Sequence, residues 1–248
     1  MQAPGRGLLA RLPRSEARRA ARSWRGAPAR ICATALLYAA IRPDEEVTVF
    51  VQVILGRAAD TAAVRRQLDR WATDLAPGAA GFAGATGGVT TDRRAVLIAR
   101  FESEDAARAN AERPEQDSWW AETVTGALAD PEVLETTDVT LHGGQGWEAA
   151  RFVQVMRARV RDRRRFEAIE EELTPQFMQL RPDLLAAYRA WLPDGSVAAI
   201  DYFTSEGEAR AGEQQEMPDV LGERFREWMS LLDDVEWFDL PDPWTATP

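Results

Sequence analysis

Lysine is absent from this sequence. All 30 basic residues are arginine, they stand against 40 acidic residues, and the net charge is −10. Cysteine and histidine occur once each, as Cys32 and His142. One cysteine excludes a disulfide scaffold, and one of each excludes the usual Cys/His zinc sets, so no metal site is expected. A Cys–His nucleophile pair fits poorly, and a Ser–His–Asp triad would have to use His142. The apolar run Ile31–Ile41 is too short to span a bilayer, which takes about 20 residues.

The chain is 248 residues long and 45% hydrophobic, enough for one large domain or two of about 100 residues with a sizeable core. Its charge is uneven. Residues 1–46 hold nine Arg against four acids, so the remainder carries 21 Arg against 36 acids. A body that acidic repels phosphate backbones, which argues against nucleic acid as a partner. Residues 1–30 are rich in Arg, Ala, Gly and Pro without an apolar period, and Arg42-Pro43 closes the run that follows. A basic stretch before a short apolar run has the outline of a secretory signal, but the basic part is long and no small-x-small cleavage site precedes Arg42. Residues 1–46 therefore read as an extension outside the fold, disordered or derived from a mis-assigned start. A cytoplasmic body and no membrane contact are expected.

An internal repeat organises the rest. Phe50-Val51-Gln52-Val53 recurs as Phe152-Val153-Gln154-Val155, an offset of 102 residues. The same offset aligns Phe101-Glu102-Ser103-Glu104 with Phe203-Thr204-Ser205-Glu206, Ala107-Arg108-Ala109 with Ala209-Arg210-Ala211, and Val133 with Val235. Matches in four separate segments at one offset indicate duplication.

Each copy then reads the same way. Val47–Leu55 is a continuous β-branched and aromatic run, as a buried strand requires, and Arg151–Val160 is its partner in the second copy. Val64, Leu68, Trp71 and Leu75 fall on one helical face, as do Phe166, Ile169, Leu173 and Phe177. Hairpins follow: Phe82–Thr90 with Ala95–Phe101, and Leu184–Leu192 with Val197–Phe203 around Pro193-Asp194-Gly195-Ser196. Ser103 and Ser205 cap a second helix, with Glu208 completing a capping box, and Pro114 and Pro218 break that helix. A last strand, Val133–Leu141 or Val235–Leu240, ends each copy. The order β-α-β-β-α-β, twice, is the ferredoxin-like plan of an α+β protein. One copy leaves a sheet face bare, and two can bury their bare faces together as an eight-stranded barrel. This gives a first repeat over residues 47–142, a linker over 143–147 and a second repeat with a C-terminal tail over 148–248.

The element order, the unit of about 100 residues and the lead Phe-x-Ser-Glu-x-x-Ala-Arg into the second helix resemble the dimeric α+β barrel superfamily, as a tandem member of its antibiotic biosynthesis monooxygenase-like group. Arg113-Pro114-Glu115-Gln116-Asp117-Ser118-Trp119-Trp120 is similar to a stretch of uncharacterised tandem members. The resemblance implies a ligand cavity between sheet and helices, and oxygen chemistry on electron-rich aromatics with no cofactor, with Asn and Trp side chains beside a small hydrophobic or aromatic substrate. It also implies a monomer with an internal pseudo-dimer, or a homodimer. The haem-handling relatives place a His on the second helix, and neither copy has one. Asn110, the single asparagine, is Gly212 in the second copy; at the same offset Trp119 and Trp120 fall on Leu221 and Gly222. Asn110, Trp119 and Trp120 are therefore the candidate catalytic residues. Gln52, Gln154, Tyr188, Trp191 and Tyr202 are candidate substrate-binding residues; for the two glutamines, cross-linking of strands is the structural alternative, and for the three aromatics it is a place in the core. Glu170-Glu171-Glu172 reads as a solvated helix face, and His142 as a surface residue that could serve as a general base. A non-catalytic ligand-binding or interaction protein on the same barrel is the alternative function, and a haem-handling protein a distant one.

Overall fold

The computed structural model describes residues 49–142 and 146–248. The basic segment, the run Ile31–Ile41, the start of the first strand at Val47 and most of the expected linker lie outside the described residues. The first repeat comprises β1 (Phe50–Ala58), α1 (Thr61–Arg70), β2 (Phe82–Val89), β3 (Arg94–Phe101), α2 (Glu104–Ala111), α3 (Pro114–Gly126), β4 (Leu128–Thr136) and β5 (Val139–Leu141). The second comprises β6 (Phe152–Val160), α4 (Arg163–Leu180), β7 (Leu184–Trp191), β8 (Ser196–Phe203), α5 (Glu206–Glu213), α6 (Asp219–Ser230), β9 (Leu232–Leu240) and β10 (Trp244–Ala246).

Local chemistry sets these boundaries. Asp60 caps α1 by accepting from the Ala62 and Ala63 N–H groups, and its counterpart Asp162 caps α4 through Arg165. Ser103 and Ser205 cap α2 and α5 through the N–H groups of Ala106 and Glu208. The expected capping box is half formed, because Glu208 accepts from the Ser205 hydroxyl at 3.0 Å instead of reaching the backbone. The second helix of each repeat breaks into two, as the prolines require: Pro114 stands at the first position of α3 and Pro218 at the cap of α6.

Each repeat builds one antiparallel sheet, in the orders β10-β2-β3-β1-β4 and β5-β7-β8-β6-β9. The sheets have five strands instead of four because the chain bends after β4 and after β9 and crosses to the other repeat. There β5 pairs with β7, Val139 opposite Ala190, and β10 pairs with β2, Trp244 opposite Gly87. Each crossing covers an edge whose N–H and C=O groups would otherwise lie open, and each ties one repeat into the sheet of the other, giving two five-stranded sheets in place of the expected eight-stranded barrel. Between the sheets Val51, Val53, Val96 and Ile98 pack against Val153, Val155, Ile200, Tyr202 and Leu240, all at most 1% exposed. The two bare faces are thus buried against each other. The opposite faces pack on helices: Phe50, Leu97 and Phe101 on α1 and α3, and Met156, Val197 and Ala199 on α4 and α6.

The constant offset holds through α2 and α5 and then fails. Gln52 faces Glu135 across β1 and β4, whereas Gln154 faces Asp239 across β6 and β9, an offset of 104 for the last strands. Val133 therefore matches Trp237 and not Val235. Helix α6 also starts at Asp219, where the constant offset would put Glu216 opposite Pro114. The correspondence of Trp119 and Trp120 with Leu221 and Gly222 rested on that offset and is withdrawn. Asn110 and Gly212 lie before the shift and still correspond.

Candidate functional site

In repeat one a cavity of about 240 Å³ lies between the sheet and helices α1 to α3. This is slightly below the roughly 300 Å³ at which pockets for drug-sized ligands begin. Its sheet side is Ile54, Ala85, Leu97 and Ala99, its helix side Leu68, Trp71, Trp119 and Trp120, and Trp244 from repeat two closes one flank. It opens to solvent past the exposed residues Ala111, Asp117 and Val133. The strand alternation that puts Val51 and Val53 between the sheets puts Gln52 and Ile54 on this face.

The polar groups around the cavity are mostly committed. Trp71 donates its indole N–H to Gln116 Oε1 at 2.7 Å, and Trp119 donates to the Gln67 carbonyl at 2.9 Å. Both rings therefore offer apolar surface. Trp119 is buried and stands 6.4 Å from Trp71 and 6.1 Å from the half-buried Trp120, centroid to centroid. Gln52 lines the cavity while donating from Nε2 to Glu135 at 2.6 Å. Asn110 is 7% exposed, and its Oδ1 accepts from Arg113 Nη1 at 2.9 Å. A guanidinium has only donors, so the amide atom it meets is the oxygen, and Nδ2 is left without a protein acceptor among the described residues. The two faces thus meet four of the candidates, Asn110, Trp119, Trp120 and Gln52, at one cavity.

The other four lie elsewhere. Gln154 donates to Asp239 at 2.9 Å, tying β6 to β9 as Gln52 ties β1 to β4. Tyr188 and Tyr202 point between the sheets, where they stack 6.1 Å apart and the Tyr202 hydroxyl meets Thr86 Oγ1 at 2.9 Å. Burial, with the Tyr202 hydroxyl beside it, pushes the Tyr188 phenol well above its ordinary range. Trp191 packs on Phe166 in the helix-side core of repeat two, with the Arg163 guanidinium 4.3 Å from its ring. Strand alternation sends Tyr188 and Trp191 to opposite faces of the sheet, so the three aromatics of this hairpin do not converge on a cavity.

Two further expectations are corrected. Glu170 does not face water: it is 6% exposed, and Arg189 donates to it from Nε at 2.7 Å. Nor is His142 a surface residue, because β5 carries it across to sheet two, where its Nε2 lies 3.1 Å from Glu170 Oε2. Burial pushes the Glu170 carboxyl up, but Arg189 and His142 outweigh it and hold it below its ordinary value. Arg113, Gln116 and Trp244 were missed from sequence as parts of the site. Trp244 sits in a three-residue strand, too short for periodicity to register, and nothing local links Arg113 to an amide three residues earlier. Among the described residues, no group of three His, Cys, Asp or Glu side chains is placed to hold a metal ion, and no helix is long and apolar enough to cross a membrane.

No family model matches the sequence, and no curated protein matches it. Solved structures do. A protein of Lactobacillus acidophilus, provisionally named a monooxygenase, matches with a TM-score of 0.63 at 15% identity, over 81% of this chain and 96% of its own. One of Fusobacterium nucleatum, named likewise, matches with a TM-score of 0.64 at 6% identity, over 82% and 96%. An anthrone oxidase-like protein matches with a TM-score of 0.61 at 9% identity, over 82% and 94%. At such identities the likeness is one of fold. The chain is a two-repeat α+β protein that shares the fold of these structures over four fifths of its length.

Proposed function

We propose that the chain is a small-molecule enzyme of the cofactor-independent monooxygenase type, acting on a flat aromatic or polyketide-type substrate in the cavity of repeat one. The observation that carries this reading is the contrast within the cavity: apolar surface and indole faces for a planar ring, and one buried amide, Asn110, whose Nδ2 hydrogens have no protein acceptor among the described residues. An anthrone is a fitting substrate type, and one structural neighbour is named anthrone oxidase-like. Its reaction balances with oxygen alone: the ring CH₂ becomes C=O, one oxygen atom stays in the product, and the other leaves as water with the two hydrogens. The ring stacks on Trp119 and Trp120 with one edge at the mouth, and Asn110 Nδ2 donates to the substrate oxygen that carries negative charge once the C–H proton is lost. Asp117 is the one ionisable side chain on the lining and lies at the mouth, so that proton leaves toward water.

The absence of a buried base from the lining favours a second reading, ligand binding without turnover. Oxygen uptake with 1,8-dihydroxyanthrone separates the two, measured for the native protein and for Asn110→Ala and Trp119→Phe. Uptake that falls in both variants supports the enzyme and its site. Equal rates in all three proteins sink the site assignment, and tight binding without uptake selects the second reading.

A further inference from the structure

The repeats are alike in backbone and unlike at the cavity. Up to α2 and α5 the offset of 102 is exact in the strand registers, so the counterparts of the cavity lining can be named. The lining residues Leu68 and Ala99 correspond to Glu170 and Asp201, and Gly87, where an added Cβ would stand 2.9 Å from Leu68 and 3.6 Å from Trp244, corresponds to Arg189. Those three counterparts form one ionic cluster on the helix side of sheet two. Arg189 donates from Nε to Glu170 at 2.7 Å and from Nη1 to Asp201 at 3.0 Å, with its side chain 12% exposed. His142 approaches Glu170 from the other side, and Thr174 Oγ1 lies 3.5 Å from its Nδ1. The space that a ring would occupy in repeat one is taken here by a guanidinium held between two carboxylates.

The amide is missing as well. A Cβ on Gly212, the counterpart of Asn110, would fall 2.2 Å from Arg181 Nε. Arg181 fills that place and is itself fixed by a bidentate pair with Asp183, at 2.9 and 2.7 Å, and by the Ala209 carbonyl at 3.1 Å. Repeat two thus has neither the room nor the amide. Buried charges in such a network are retained only where every partner is present, so Arg189 cannot swing aside for an apolar guest without stranding Glu170 and Asp201.

We propose that each chain holds a single ligand site, that of repeat one, and that the Glu170–Arg189–Asp201 cluster is a plug that closes the counterpart in repeat two. This rests on the cavity reading above. The test is stoichiometry: calorimetric titration of the full chain with 1,8-dihydroxyanthraquinone, which binds without turning over. One molecule per chain is expected. Two per chain overturns the plug and leaves the cavity reading standing; none overturns the cavity reading itself. Two variants place the site. Ala99→Trp fills the cavity of repeat one and should abolish binding, and binding at unchanged affinity would overturn the assignment. The triple variant Glu170→Leu, Arg189→Gly, Asp201→Ala installs the residues of repeat one and should raise the stoichiometry to two. A folded triple variant, judged by circular dichroism, that still binds one molecule shows that these side chains are not what closes the site. If it does not fold, the native and Ala99→Trp titrations still decide.

Discussion

Arg113 donates from Nη1 to Asn110 Oδ1 at 2.9 Å and to the Leu75 carbonyl at 3.0 Å. The amide is thereby fixed with its oxygen turned to the guanidinium and its nitrogen without an acceptor among the described residues. Removing one such donor from an oxyanion costs about 10²–10³ in kcat where the contact is made in the transition state. Asn110→Ala should show a loss of that order in oxygen uptake with little change in melting temperature. Arg113→Met keeps Asn110 but frees it to rotate, and a smaller loss, about tenfold, is expected from steady-state rates.

Trp119 joins packing to hydrogen bonding. Trp119→Ala should destabilise the protein by about 3–5 kcal/mol in urea unfolding, the usual cost of emptying a large buried site. Trp119→Phe keeps most of the apolar surface. It loses the bond to the Gln67 carbonyl, which still accepts from the Trp71 backbone N–H, so a cost near 1 kcal/mol is expected.

The plug predicts an acid limb. The Glu170 carboxyl is held below its ordinary 4.5 in the folded protein despite burial. A depressed folded-state value means the unfolded chain binds the proton first on acidification. The stabilisation is therefore complete above about 4.5 and is lost as pH falls through the lower folded value. Glu170→Gln should flatten that part of the melting-temperature profile. It should also cost about 3–5 kcal/mol at neutral pH, because Arg189 loses a buried partner. A parallel acid limb in the variant would contradict the assignment.

Trp244 reaches the cavity from the other repeat, 6% exposed. Trp244→Ala should weaken 1,8-dihydroxyanthraquinone binding and, because part of the ring borders the cavity, lower stability toward the small end of the 3–5 kcal/mol range for Trp truncations.

The sequence carried the architecture well because duplication repeats each signal. Phe50-Val51-Gln52-Val53 reappears intact in β6, and the caps Asp60 and Ser103 reappear as Asp162 and Ser205. What stayed hidden is what depends on contacts between repeats or on a shifted register. The three-residue strands β5 and β10 have no period of their own and exist only because the other sheet offers an edge. Glu170 looked solvated because its partners, Arg189 and His142, arrive from a strand 19 residues on and from the other repeat. The site was half legible. Asn110 is legible as the single asparagine of the chain, opposite a glycine in the second copy, and Trp119 and Trp120 as an adjacent pair of indoles, whereas Tyr188, Trp191 and Tyr202 are aromatics of a strand pair whose places are set by core packing.

The most direct measurement is a crystal structure of the full chain soaked with 1,8-dihydroxyanthraquinone. The ring system should lie between Ala99 and Trp119, edged by Trp244, with an oxygen within hydrogen-bonding distance of Asn110 Nδ2. Density against Arg189 or between the two sheets, with the repeat-one cavity empty, would contradict this account.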